Sequence, residues 1–105
     1  PGLVYKAIAE KQVDVISGFA TDGRIPAFNL VVLEDDLRFF PPYYAAPVVR
    51  NDLLAKAPQV AEILNRLAGR INDVTMASLN YTVDGKKQDA EVVARDFLKS
   101  QGLIK

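Results

Sequence analysis

Residues 39–44 read Phe-Phe-Pro-Pro-Tyr-Tyr, and no other stretch restricts the chain as strongly. Each proline fixes its own φ near about −65°, removes a backbone donor and pushes the residue before it towards extended geometry. No helix can run through such a segment, and no regular inner strand can use it. It reads as a stiff extended crossover flanked by aromatic rings, and it separates two halves of different character.

Before the crossover, Leu3, Val4, Ala7 and Ile8 recur at helical spacing and predict a helix over about 2–11. Val13 to Phe19 (VDVISGF) is short, β-branched and mostly apolar, the pattern of a buried strand. Thr21-Asp22-Gly23 supplies turn chemistry. Leu30 to Leu33 predicts a second strand, stopped by Glu34-Asp35-Asp36. After the crossover, Tyr44 to Val49 predicts a third strand, with Pro47 making it an edge or a bulge.

Four helices follow. Asn51 or Asp52 is placed to cap the first, and Pro58 to open the second as its first helical residue. Val60, Ile63, Leu64 and Leu67 form the apolar stripe of that second helix, with Gly69 at its C-terminal cap. Asn72 caps a third helix presenting Met76 and Leu79. Asp89 caps a fourth with Ala90, Val93, Ala94 and Phe97 inward, ending near Gly102. Strands among helices indicate an α/β fold. Three strands make a thin sheet, so each half expects partner strands.

The chain has 105 residues, with 13 basic and 13 acidic side chains. Such a balance draws it neither to nucleic acid nor to anionic lipid. Histidine and cysteine are absent, which removes disulfides, thiolate nucleophiles and the usual zinc ligands. A catalytic site would need Ser, Lys, Tyr, Asp or Glu alone. Ser17, Ser78 and Ser100 lack a glycine elbow, so no catalytic residue is assigned and no enzyme is expected. Glu34, Asp35 and Asp36 alternate in direction on an extended segment and do not converge on a cation, so neither a metal nor a cofactor is expected. No run approaches the ~20 apolar residues of a membrane span. Pro1-Gly2 leads into the helical pattern without the basic stretch of a signal peptide, so any export signal is expected outside this chain.

Aromatic residues remain as candidates. Phe19 closes the first predicted strand, and Tyr43 and Tyr44 leave the crossover. Strand ends beside a domain-joining segment are where α/β proteins form ligand clefts. A ring there presents a negative face to a cation that cannot donate hydrogen bonds, as a quaternary ammonium cannot. The competing reading is that these rings are core or hinge packing.

Phe19-Ala20-Thr21-Asp22-Gly23-Arg24-Ile25 and LVVLEDDLRFFPPYYAAPVVR (30–50) resemble the glycine betaine/choline-binding proteins of ABC importers. The likeness continues through LNRLAG, LNYTVDG and VARDFLKSQG and so covers essentially the whole chain. It implies the C-terminal portion of a longer protein. The implied architecture is α/β, a partial two-lobed periplasmic-binding-protein fold (type II), with a strand-rich N-terminal part and a helix-rich C-terminal part. On that mapping 1–38 end the second lobe, 39–43 form the hinge crossover and 44–105 complete the first lobe.

Family members hold a trimethylammonium group in a tyrosine cage, and the resemblance carries this onto Phe19 and Tyr43. Phe19 stands where the family has tyrosine, which keeps the ring face and loses the hydroxyl. Thr21 and Arg24 are lesser ligand-binding candidates. The implied partners are a quaternary-ammonium small molecule, an ABC permease and the remainder of the binding protein, at the periplasmic or extracellular face of the membrane. Lobes without sheet partners also predict a homo-oligomer or domain-swapped dimer.

Overall fold

The computed structural model describes residues 2–105; Pro1, where the predicted N-terminal part starts, lies outside them. Six helices form there: α1 (Gly2–Ala9), α2 (Arg24–Ala27), α3 (Asn51–Lys56), α4 (Gln59–Asn65), α5 (Asp73–Asp84) and α6 (Ala90–Ser100). Their starts follow local side-chain chemistry. Asn72 caps α5 by accepting from the Thr75 amide at 2.8 Å. Asp89 caps α6 by accepting from the Glu91 and Val92 amides at 3.0 and 3.1 Å. Each cap satisfies amides that a helix N-terminus otherwise leaves bare. At α3 the cap position falls to Arg50, one residue before the predicted Asn51 or Asp52, and Pro58 caps α4 instead of being its first residue.

Helix ends share a second device. Lys11, Asn29, Lys87 and Gly102 have positive φ of 57°, 53°, 59° and 67°. At each, the next amide reaches back to a carbonyl five residues earlier in the chain or six: Gln12 to Ala7, Leu30 to Ile25, Gln88 to Thr82, Leu103 to Leu98. Backbone closure of this kind satisfies the last carbonyls of a helix. The C-cap of α4 is Arg66 and not the predicted Gly69, which lies four residues beyond the helix with φ +72°.

The strand-rich N-terminal part is not found: among the described residues no strand forms. Segments 13–19, 30–33 and 44–49 carry the strand pattern but run without a ladder. Alternation chooses which side chains face a core, whereas a strand exists only when its amides and carbonyls meet a neighbour's. No such neighbour is present here, and Val31, Leu33 and Val48 are left largely exposed.

Two compact units result. One comprises the residues up to Val32 together with Asn72–Lys105, the other Leu33–Ile71. In the first, α5 packs against α2 and α6. Its core is small: Tyr5, Ala77 and Val93 are its buried hydrophobic residues. Tyr5 is the buried residue of α1; of the predicted stripe Ala7 and Ile8 are half-buried, while Leu3 and Val4 are exposed. Val93 and Phe97 of α6 turn inward, but Ala90 and Ala94 do not. Gly23 is buried where α2 meets α5; a Cβ there would lie 2.6 Å from the Tyr81 amide nitrogen, so only glycine permits the approach.

In the second unit α3 packs on α4, whose Val60 and Leu64 are half-buried while Ile63 is exposed. The acidic run has a local role. Asp35 accepts from the amides of Phe39 and Phe40, both at 2.9 Å, which closes the bend entering the double proline. The two phenyl rings meet edge to face, 5.0 Å apart.

Candidate functional site

Phe19 opens a tight turn whose fourth residue, Asp22, donates its amide to the Phe19 carbonyl at 3.0 Å. The ring is 70% exposed. Everything behind it is fastened. Arg24 donates from Nε to Asp22 Oδ1 at 2.9 Å and from Nη2 to Oδ2 at 2.7 Å, a two-point pair, while its own amide donates to Oδ1 at 2.9 Å. The same guanidinium lies 4.2 Å from the centre of the Tyr5 ring. A planar cation sandwiched in this way suits arginine and not lysine. The Tyr5 hydroxyl completes the group with a hydrogen bond to Asp22.

Electrostatics follow from that geometry. Hydrogen bonds from Arg24 hold the Asp22 carboxyl below its usual value, against the opposing effect of burial. Burial and the Asp22 charge push the Tyr5 phenol above its usual value. The Asp22 pair pushes Arg24 further up, so the guanidinium stays charged.

A third fastening comes from far along the chain. Asn80 of α5 donates from Nδ2 to the Thr21 carbonyl at 2.7 Å. Thr21 thus lies in the turn with Phe19, and Arg24, the first residue of α2, is paired to the turn's last residue, Asp22. Tyr43 belongs to the other unit, on the extended segment after the double proline, and its ring is 89% exposed. Tyr44 is 87% exposed, so the expectation that it packs in a core is overturned: around it the extended backbone brings nothing over the ring within its unit. Sequence reasoning missed Tyr5, Asn80 and the pairing role of Asp22. Tyr5 was visible as the one large amphipathic residue of α1; nothing local marked Asn80.

Two hollows of the first unit are not lined by Phe19. One is a groove between α5 and α6 lined by Leu79, Val93 and Phe97, the other a recess between Arg24, Phe28 and Asp84. Among the described residues no cluster of three or more acidic side chains could hold a metal ion, and no helix is long and apolar enough to cross a membrane.

Residues 1–100 match the family described as the substrate binding domain of the ABC-type glycine betaine transport system, OpuAC. The carnitine transport binding protein OpuCC of Listeria monocytogenes is 44% identical over 93% of this chain and 32% of its own length. The ergothioneine transport permease/ergothioneine binding protein EgtU of Helicobacter pylori is 41% identical over 96% of this chain and 18% of its own length. A crystal structure of a glycine betaine/carnitine/choline ABC transporter protein superposes with a TM-score of 0.90 at 46% identity, covering 97% of this chain and 37% of that one. The chain therefore spans about a third, or less, of the proteins it matches. With a match over residues 1–100, it belongs to the family of substrate-binding domains of ABC-type glycine betaine transport systems, a family of transport proteins and not of enzymes.

Proposed function

We propose that this chain is part of the solute-binding protein of an ABC importer for quaternary-ammonium osmoprotectants of the glycine betaine/choline type. Phe19 and Tyr43 are its contribution to the aromatic cage, part of the ligand site and not all of it. The observation that carries this is the presentation of Phe19: a ring 70% exposed on a turn held by side chains from α1, α2 and α5. A trimethylammonium offers no hydrogen-bond donor, and an oriented ring face is what it can bind. Phe19 lacks the hydroxyl of the family's tyrosine, so its contribution is the ring alone. Thr21 and Arg24 are the polar members of the same site, and their bonds to Asn80 and Asp22 make them its frame.

The lobe assignment completes the reading. Residues 1–38 and 44–105 contribute to the two lobes of a type II binding protein, with 39–43 as the hinge crossover, although within this chain 72–105 pack with the residues up to Val32 and not with 44–71. Hinge closure buries the cation and presents the closed form to a permease at the periplasmic or extracellular face. Segments 13–19, 30–33 and 44–49 take their ladder partners from the remainder of the protein. Isothermal titration of the intact protein with glycine betaine and choline tests this. Phe19→Ala and Tyr43→Ala each weaken binding by about 5–30-fold, the equivalent of a desolvated cation–π contact; unchanged affinity in both contradicts it.

Two other readings have an observation each. The missing hydroxyl at Phe19 favours a different cationic or zwitterionic ligand, which a thermal-shift screen with carnitine and ergothioneine resolves. The exposed apolar side chains of Val31, Leu33, Leu37 and Val48 favour self-association or domain swapping of residues 1–105 when isolated. A compact monomer in light scattering contradicts that.

A further inference from the structure

The Asn80 side chain bonds outside the helix that carries it. Its side-chain amide points out of α5 and donates to the Thr21 carbonyl at 2.7 Å, joining positions 59 apart in the chain. That carbonyl is the third of the four residues in the turn that Phe19 opens. On the other side of the turn, Arg24 grips Asp22 at two points and rests on Tyr5. Beneath it Gly23 lies against the α5 backbone with no room for a Cβ. The turn thus has one anchor at each of its last two residues and a seat beneath, while its first residue carries a ring towards solvent.

We propose that Asn80 is a positioning residue for ligand binding, setting the direction of the Phe19 ring through the Thr21 carbonyl, with the Asp22–Arg24 pair as the second anchor. The proposal rests on the cage reading of Phe19. Its physical basis is preorganisation. A ring face contributes to cation affinity only where it points at the cation, and a ring on a loosened turn must be ordered at the moment of binding. Removing the amide leaves the Thr21 carbonyl without its donor, and the turn becomes free to rotate about its remaining anchor. Asn80 touches no ligand in this account; it acts through Phe19 alone.

That last statement makes the test specific. Choline affinity is measured calorimetrically on the intact binding protein in four forms: wild type, Asn80→Ala, Phe19→Ala and the double variant. Circular dichroism confirms the fold of each. Asn80→Ala weakens choline binding by about tenfold in the wild-type background and by less than about twofold once the ring is gone, the signature of coupled residues. Asn80→Asp, which keeps the side chain's size and removes the donated hydrogen bond, follows the same pattern and serves if Asn80→Ala does not fold. A Phe19→Ala loss accompanied by unchanged affinity in Asn80→Ala overturns the positioning role and leaves the cage reading standing. So does an equal loss in both backgrounds. Phe19→Ala without effect overturns the positioning role together with the cage reading of Phe19.

Discussion

Asn80 and Thr21, 59 positions apart, are joined by a 2.7 Å hydrogen bond from the side-chain amide of one to the carbonyl of the other. It connects the longest helix, α5, to the turn that presents Phe19. Truncating it has a stability cost as well as a functional one. A half-buried carbonyl deprived of its donor costs about 1 kcal/mol, so Asn80→Ala lowers the thermal midpoint.

Acid removes the contribution of the Asp22–Arg24 pair. The folded Asp22 carboxyl lies below its ordinary value of 3.8, so as pH falls the unfolded state takes up the proton first. The stabilisation is complete above that ordinary value and disappears as pH drops through the lower, folded one. Asp22→Asn is accordingly less stable than wild type at neutral pH, and thermal melts show the gap closing on acidification below the ordinary value.

Alkali acts on Tyr5 with the opposite sign. Its phenol is raised above 10.0 by burial first and by the Asp22 charge and hydrogen bond next. A raised folded value favours the protonated form, so the contribution is complete below 10.0 and is lost as pH climbs through the folded value. Tyr5→Phe costs about 1 kcal/mol at neutral pH through the lost hydrogen bond. It also removes this alkaline loss from a melting series.

Caps and closures give two further outcomes of opposite direction. Asn72→Ala and Asp89→Ala each cost about 1 kcal/mol, because each leaves amides of a helix start without a partner. Lys87→Gly gains about 0.5 kcal/mol, since Lys87 holds φ at 59° where glycine is unstrained. Denaturant midpoints check both.

What was legible in the sequence is what depends on neighbours a few residues away. Asn72 and Asp89 cap as read, because a cap involves only the next turn of chain. The stretch 39–44 is extended because proline permits little else. Strands at 13–19, 30–33 and 44–49 were not obtainable in the same way. Their pattern is real, but pairing requires a second segment, and none of the described residues supplies it. Tyr5 and Asn80 escaped for a related reason: each is defined by contact with the turn at 19–24, which no local spacing reveals. Phe19 and Tyr43 were singled out as rings and are exposed, as are Phe28, Phe39, Phe40 and Tyr44. Their shared role against one cation is a proposal.

The central claim is that a quaternary cation is recognised by ring faces. The measurement that meets it most directly is calorimetric titration of the intact binding protein with choline and with its neutral isostere, in which carbon replaces the quaternary nitrogen. Wild type binds choline and binds the isostere at least about tenfold more weakly, and Phe19→Ala removes most of that difference. Equal affinity for the two ligands, or a preference untouched by Phe19→Ala, contradicts the account.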